Sequence, residues 1–426
     1  MTEVTQPRTA WGMKLSAVTV AAALLALLAF APLASATPDP VASGKTTVTL
    51  NKGWTKYLKT FGIKLQKVGN AKVNSSKATF TVSGGEMDPT NGLGTLTLSG
   101  GIKFKAGKKS ATVKGLVLDT GKSVLTGKVS GKKVKLASLS GLSFTRNGFG
   151  VNVNLKKLKL NSAGAKQLNK KLGFAKGTPK PFLAGKLIGK SASEEQPNTV
   201  TIVPGGNVDF NANLELLKKL KDVETEAKII APTTEKGPGA YELPITGGSI
   251  APTATAGTVL TAGGLLLSQK LPTGPSSALE TEITLGNFYV DLSAHTITVE
   301  VVAKSNASSQ LNLGNLGRSS IADLTLTGAT VTADPTNHTV AVQNAAATLQ
   351  PISAEVLEGF VKVYQAYYEA GVTAVVCASL PEECKEPAEQ EFAKAKAKEE
   401  GEKRVANDHI KSGEGLGTFS FTAKTQ

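Results

Sequence analysis

Two glycine pairs enclosing one alternating segment occur twice in this chain, and that recurrence constrains the fold more than any other feature. GGEMDPTNGLGTLTLSGGIKF runs from Gly84 to Phe104, and GGSIAPTATAGTVLTAGGLLL from Gly247 to Leu267. Gly84, Pro89, Gly94 and Gly100 return at Gly247, Pro252, Gly257 and Gly263, each 163 positions on. A constant offset over a gap-free stretch means one structural unit used twice. Later landmarks repeat at a wider spacing: Leu160, Ala165 and Leu168 correspond to Leu349, Ala354 and Leu357, 189 positions on. The second unit therefore carries 26 additional residues, mainly between Leu265 and Ala322.

Within each unit the hydrophobic period is two. Thr46 to Leu50, Ala78 to Val82, Thr95 to Leu98, Ala111 to Leu118, Ser123 to Val129, Lys133 to Leu139 and Val151 to Leu160 alternate and are separated by Gly-Lys, Ser-Gly-Lys and Asn-Gly turns, which predicts antiparallel strands. Asn51 is placed to cap a helix carrying Trp54, Tyr57, Leu58, Phe61 and Ile63 over Trp54 to Lys64, and Ser162 to Leu172 reads as a second helix stopped by Gly173. In the second unit Asn213 to Leu220 and Ser353 to Glu369 hold the same places. The fold class is mainly β with short helices: two tandem antiparallel β-sandwich-like domains plus a C-terminal helical insertion. The domains read as 45–176 and 199–426, joined by a Pro-, Gly- and Ser-containing linker over 177–198, in which Phe182 to Ile188 has the option of an edge strand. The insertion covers about 371–411, because Gly413 to Lys424 is again a strand that belongs with the second sheet.

The first 36 residues read as a signal peptide. Arg8 and Lys14 precede the apolar run Leu15 to Phe30, and Ala34-Ser35-Ala36 offers small residues for cleavage near Ala36. The run is short for a membrane span, so the mature protein is expected to be secreted and associated with the cell envelope. Cys377 and Cys384, the chain's two cysteines, are then candidates for a disulfide; with no further cysteine, and no histidine nearby until His409, a zinc site is not expected.

Charge is unevenly spread. Between Lys45 and Lys190 there are 28 lysines and Arg146 against Glu86, Asp88 and Asp119, a net of +26 in a chain of +15. Outside a cell such a basic body suits an anionic cell-wall polymer or a membrane surface rather than nucleic acid; it serves equally as a solvated face that keeps edge strands soluble.

No Ser/His/Asp order, paired acid motif or phosphate loop is present, so catalysis is not expected. His295, His338 and His409 are scattered, the first two in turns, and Tyr364, Tyr367 and Tyr368 share one helix face as packing residues do.

The succession of a Trp- and Tyr-bearing helix, a Gly-Gly turn, GLGTLTLSGGIKF, basic strands and LKLNSAGAKQLNKKLG resembles the HtaA domain of exported actinobacterial haem-uptake proteins. Leu160, Ala165, Leu168, Asn169, Leu172 and Gly173 match its closing motif, with Asn161 where the family has Thr. The resemblance covers Thr46 to Gly173 and, more faintly, Thr199 to Gly371. It implies a mostly β domain and haem as cofactor, with haem or a haem-carrying protein as partner. Tyr57 stands at the family's ligand position and Lys108 where the family has its supporting histidine. A lysine could pair with a haem propionate or favour the phenolate, but it has no acceptor to offer. The second unit has no tyrosine in the matching helix. Two readings remain: haem or iron capture, and a wall-associated structural or adhesive module without haem.

Overall fold

The computed structural model describes residues 37–174, 177–274, 276–379 and 387–426, with no side-chain description for 274, 372–379 and 387–390. The expected signal segment 1–36, the side chain of Cys377 and all of Cys384 lie outside the described residues. Residues 38–426 form one compact unit.

The first repeat runs β1 (Asp39–Leu50), α1 (Lys52–Thr60), β2 (Ile63–Val68), β3 (Lys72–Val73), β4 (Lys77–Met87), β5 (Gly94–Ala106), β6 (Lys109–Asp119), β7 (Val124–Val129), β8 (Lys132–Asn147), β9 (Gly150–Leu160), α2 (Ser162–Leu172) and β10 (Leu187–Pro197). The second runs β11 (Val200–Thr201), β12 (Asn207–Ala212), α3 (Leu214–Asp222), β13 (Thr225–Ile230), β14 (Thr234–Gly237), β15 (Ala240–Ile250), β16 (Gly257–Thr261) and β17 (Gly264–Gly274). It continues through β18 (Ser277–Asp291), β19 (Thr296–Ser305), β20 (Gly314–Thr325), β21 (Thr330–Asp334) and β22 (Thr339–Leu349) to α4 (Pro351–Ser379), α5 (Pro387–Val405) and β23 (Gly415–Lys424).

The first sheet is ordered β2-β5-β6-β7-β8-β9-β10-β1-β4-β3, and β4 also pairs with β5. That extra pairing closes a barrel from β5 round to β4. In the second sheet β16 pairs with both β15 and β18, which closes the equivalent ring. All pairings are antiparallel, and the two orders correspond once split strands are joined: β11 with β12 answers to β1, β16 with β17 to β5, and β20 with β21 to β8. The mainly β architecture with short helices, and the return of the last strand to the second sheet between β12 and β22, agree with the sequence.

The repeated glycines sit where strands fork. The first half of β5 pairs with β4 (Thr81↔Ser99 to Met87↔Gly94), and its second half with β2 (Val68↔Gly101 to Ile63↔Ala106). Gly100, at φ +87°, marks the switch; a Cβ there would come within 2.7 Å of the Ala71 amide nitrogen. In the second domain β16 and β17 divide the same strand, and a Cβ at Gly263 would come within 2.7 Å of the Thr233 nitrogen. Gly85 and Gly248 face the carbonyls of Thr95 and Thr258 so closely that any Cβ would overlap them. Glycine is the residue that permits such backbone approach.

Two boundaries differ from expectation. The expected helix to Lys64 stops at Thr60, because Gly62 takes a left-handed φ of +65° and Ile63 begins β2. The expected linker contains β10, which pairs with β1 and β9 inside the first barrel. Its inward positions are Gly189, Ser191, Ser193, Glu195 and Pro197, so it lacks the apolar alternation that marks the other strands.

Two cores result. In the first, Trp54, Phe104 and Phe182 pack edge to face with centroids 5.2–6.4 Å apart, each pair worth about 0.5–1.5 kcal/mol beyond burial. Phe182 comes from the loop between α2 and β10. Asn169 fixes it, donating from Nδ2 to the Phe182 carbonyl at 2.7 Å and accepting its amide N–H at 3.2 Å. Among the described residues no helix is long and apolar enough to cross a membrane, which says nothing of strands.

Candidate functional site

Asn51 caps α1 by accepting the Trp54 amide N–H at 3.0 Å. The helix buries Trp54 and Leu58 and turns Tyr57 outward, 37% exposed. The Tyr57 ring meets Phe61 edge to face at 5.2 Å, and Phe61 meets Phe174 at 5.7 Å. These three rings form a shelf beyond the first barrel's core. The Tyr57 hydroxyl donates to the Lys180 carbonyl at 3.1 Å, tying the helix to the loop that delivers Phe182.

Lys108 lies in the exposed turn between β5 and β6, at the end where Ile63 pairs with Ala106. It makes no hydrogen bond or ion pair among the described residues. Lys109, which sequence reasoning did not single out, comes nearer the shelf: its ammonium crowds Gly173, the residue before Phe174. The αL cap at Gly173, φ +80°, carries no Cβ and so leaves room for it.

The second domain closes the corresponding place. Lys219 lies six residues after the cap Asn213, as Tyr57 does after Asn51. Its Nζ donates to the His409 carbonyl at 3.0 Å and to Glu414 Oε1 at 2.7 Å. Glu358, the counterpart of Asn169, accepts the Ile410 N–H at 2.8 Å, and its other oxygen lies 2.7 Å from His409 Nδ1. Ile410 thus takes the role of Phe182.

The remaining histidines serve turns. His295 and His338 have φ of +55° and +52°, and their carbonyls accept from Leu324 and Thr425. Burial, then the charge of Arg146, lowers the pKa of His338. Tyr364 is buried with Arg404 5.7 Å over its ring, and Tyr367 packs on the second core. Among the described residues no three His, Cys, Asp or Glu side chains gather to hold a metal.

A charged cluster at the junction of the two barrels had no signal in the sequence. Asp39 Oδ1 accepts the amide and hydroxyl of Thr201, both at 2.8 Å, and Arg146 donates to the Gln426 carbonyl at 2.7 Å. Glu195 is buried beside them. Burial pushes its carboxyl up to about 7 and raises Asp39 above the usual range, while burial lowers Arg146. Its members lie far apart in sequence, on β1, β8 and β10, and meet only because β10 enters the barrel.

No protein-family model matches the chain, and no curated protein matches it by sequence. Two solved structures are similar in part. One is the C-terminal domain of HtaA from Corynebacterium glutamicum, with a TM-score of 0.29 and 12% identity, covering 37% of this chain and 98% of that domain. The other is the N-terminal domain of the same protein, with a TM-score of 0.30 and 11% identity, covering 53% of this chain and 98% of that domain. Both likenesses are remote.

Proposed function

We propose that this chain is an exported binding protein of the cell envelope whose first domain takes haem at the Tyr57 shelf. The observation that carries this reading is the contrast between the domains: Tyr57 is exposed in a shelf of three aromatic rings, whereas Lys219 at the same place is locked between Glu414 and His409. A phenolate is a suitable ligand for ferric haem, and aromatic faces suit its macrocycle. Lys108 and Lys109 are cations within the same end of the barrel, suited to propionates. Ligation requires Tyr57 to release its hydrogen bond to the Lys180 carbonyl. The sequence resemblance to the HtaA domain supports the same ligand. Titration of the chain with hemin tests it: a saturable Soret band that Tyr57→Ala removes is expected, and hemin absorbance that never saturates defeats it.

A second reading rests on the lysines. Between Lys45 and Lys190, ion pairs engage only Lys45 and Lys122 among the described residues. The other described lysines are free to meet an anionic wall polymer or lipid surface, which would make the protein a wall-associated module. Retention on such a polymer must then fall with salt, as screening at about 0.15 M acts over roughly 8 Å.

A further inference from the structure

A cavity of about 340 Å³ lies within the second barrel, beneath α3 and the first turns of α4. The matching space in the first barrel is about 80 Å³. The two interiors differ at three matching positions. The aromatic trio Trp54, Phe104 and Phe182 becomes Leu216, Leu267 and Ile410, each at the corresponding position after Asn213, after Gly263 and on the Glu358 clamp. Three rings are replaced by three aliphatic chains at these positions, while the second core has its own aromatic group of Phe210, Tyr241, Phe288 and Phe419, the first three of which line the cavity. A space of this size falls within the range of small-molecule sites, about 300–1,000 Å³.

The wall carries no charged residue. Its polar groups are Ser319, Ser320, Ser353 and Tyr241. The hydroxyls of Ser320 and Ser353 are buried and have no hydrogen-bond partner, a condition that costs free energy unless a ligand supplies one. The Gln350 amide donates to the Ile321 carbonyl at 3.1 Å, which brings the first turn of α4, with Ser353, over the part of β20 that carries Ser320. Next to these serines the wall opens through Leu313, Leu316 and Ile352, the last 67% exposed. The site is thus an apolar space with two unpaired hydroxyls in its wall and an apolar rim. Haem does not suit it: the wall's lone phenol, Tyr241, is kept protonated by burial, and no cation lines the cavity for propionates.

We propose that the second domain binds a single fatty acyl chain in this cavity, its tail among the leucines and its carboxyl or ester head at Ser320 and Ser353. This is independent of haem at Tyr57. The test is calorimetric titration of the full chain with dodecanoic acid, and displacement of a fluorescent polyene fatty acid. One saturable site per chain is expected. Leu216→Trp with Leu267→Phe, which rebuilds the filling of the first domain, should abolish it. Ser320→Ala with Ser353→Ala leaves the barrel's packing in place and should weaken it by about tenfold, the worth of one or two hydrogen bonds. Tyr57→Ala should leave it unchanged. No saturable binding, or binding indifferent to both double variants, overturns the proposal; should the filled variant fail to fold, the serine pair decides alone.

Discussion

Asn169 holds Phe182 by both its carbonyl and its amide N–H, at 2.7 and 3.2 Å, and so plugs the first barrel with a ring delivered by a surface loop. Glu358 holds Ile410 in the second barrel at 2.8 Å. The device is shared and the plug is not. Removing the ring tests its weight in the fold. Phe182→Ala should cost about 3–5 kcal/mol, read by chemical denaturation; a loss below about 1 kcal/mol would mean the loop merely rests on the core.

The glycine repeat makes a sharper structural prediction. Gly85→Ala and Gly248→Ala must push a Cβ into the facing strand's carbonyl, so each should destabilise by upwards of about 3 kcal/mol. Gly107 also has a positive φ, +55°, but open space around it, so Gly107→Ala should cost only about 1–2 kcal/mol. Melting temperatures of the three variants should separate into two classes; equal losses would show that backbone conformation, not close approach, sets the requirement.

Glu195 predicts a pH dependence. Burial raises its folded pKa from 4.5 to about 7. A carboxyl raised in the folded state contributes stability that is full below pH 4.5 and is lost as pH rises through 7. The chain should therefore weaken between about pH 4.5 and 7, by up to roughly 3 kcal/mol from this group. Asp39, raised in the same direction, adds to the trend. Glu195→Gln should flatten most of that slope in thermal melts across pH 5 to 8. A variant with the wild-type slope would place the titration elsewhere.

Much of the fold was legible because side-chain period and turn chemistry report it directly. The two offsets announced the repeat, Asn51 and Asn213 announced their helices, and the alternating Gly415–Lys424 announced its return to the second sheet. β10 was hidden because its inward residues are small or polar: Ser193 Oγ meets Thr46 Oγ1 at 2.9 Å inside the barrel, where a leucine would have signalled a strand. The forking of β5 was hidden because pairing partners are long-range. Tyr57 could be found by its place in the motif, but its bond to Lys180 could not. The second domain's cavity was invisible for another reason: Leu216 and Leu267 read as ordinary core, and only comparison with Trp54 and Phe104 in space reveals what is missing.

The two domains share a barrel but present different sites, and the proposed haem site belongs to the first. Hemin titration of wild type, Tyr57→Ala and Lys219→Ala tests it most directly. One saturable Soret-active site is expected in wild type, lost in Tyr57→Ala and retained in Lys219→Ala. An unchanged spectrum in Tyr57→Ala, or no saturable site in wild type, would contradict it.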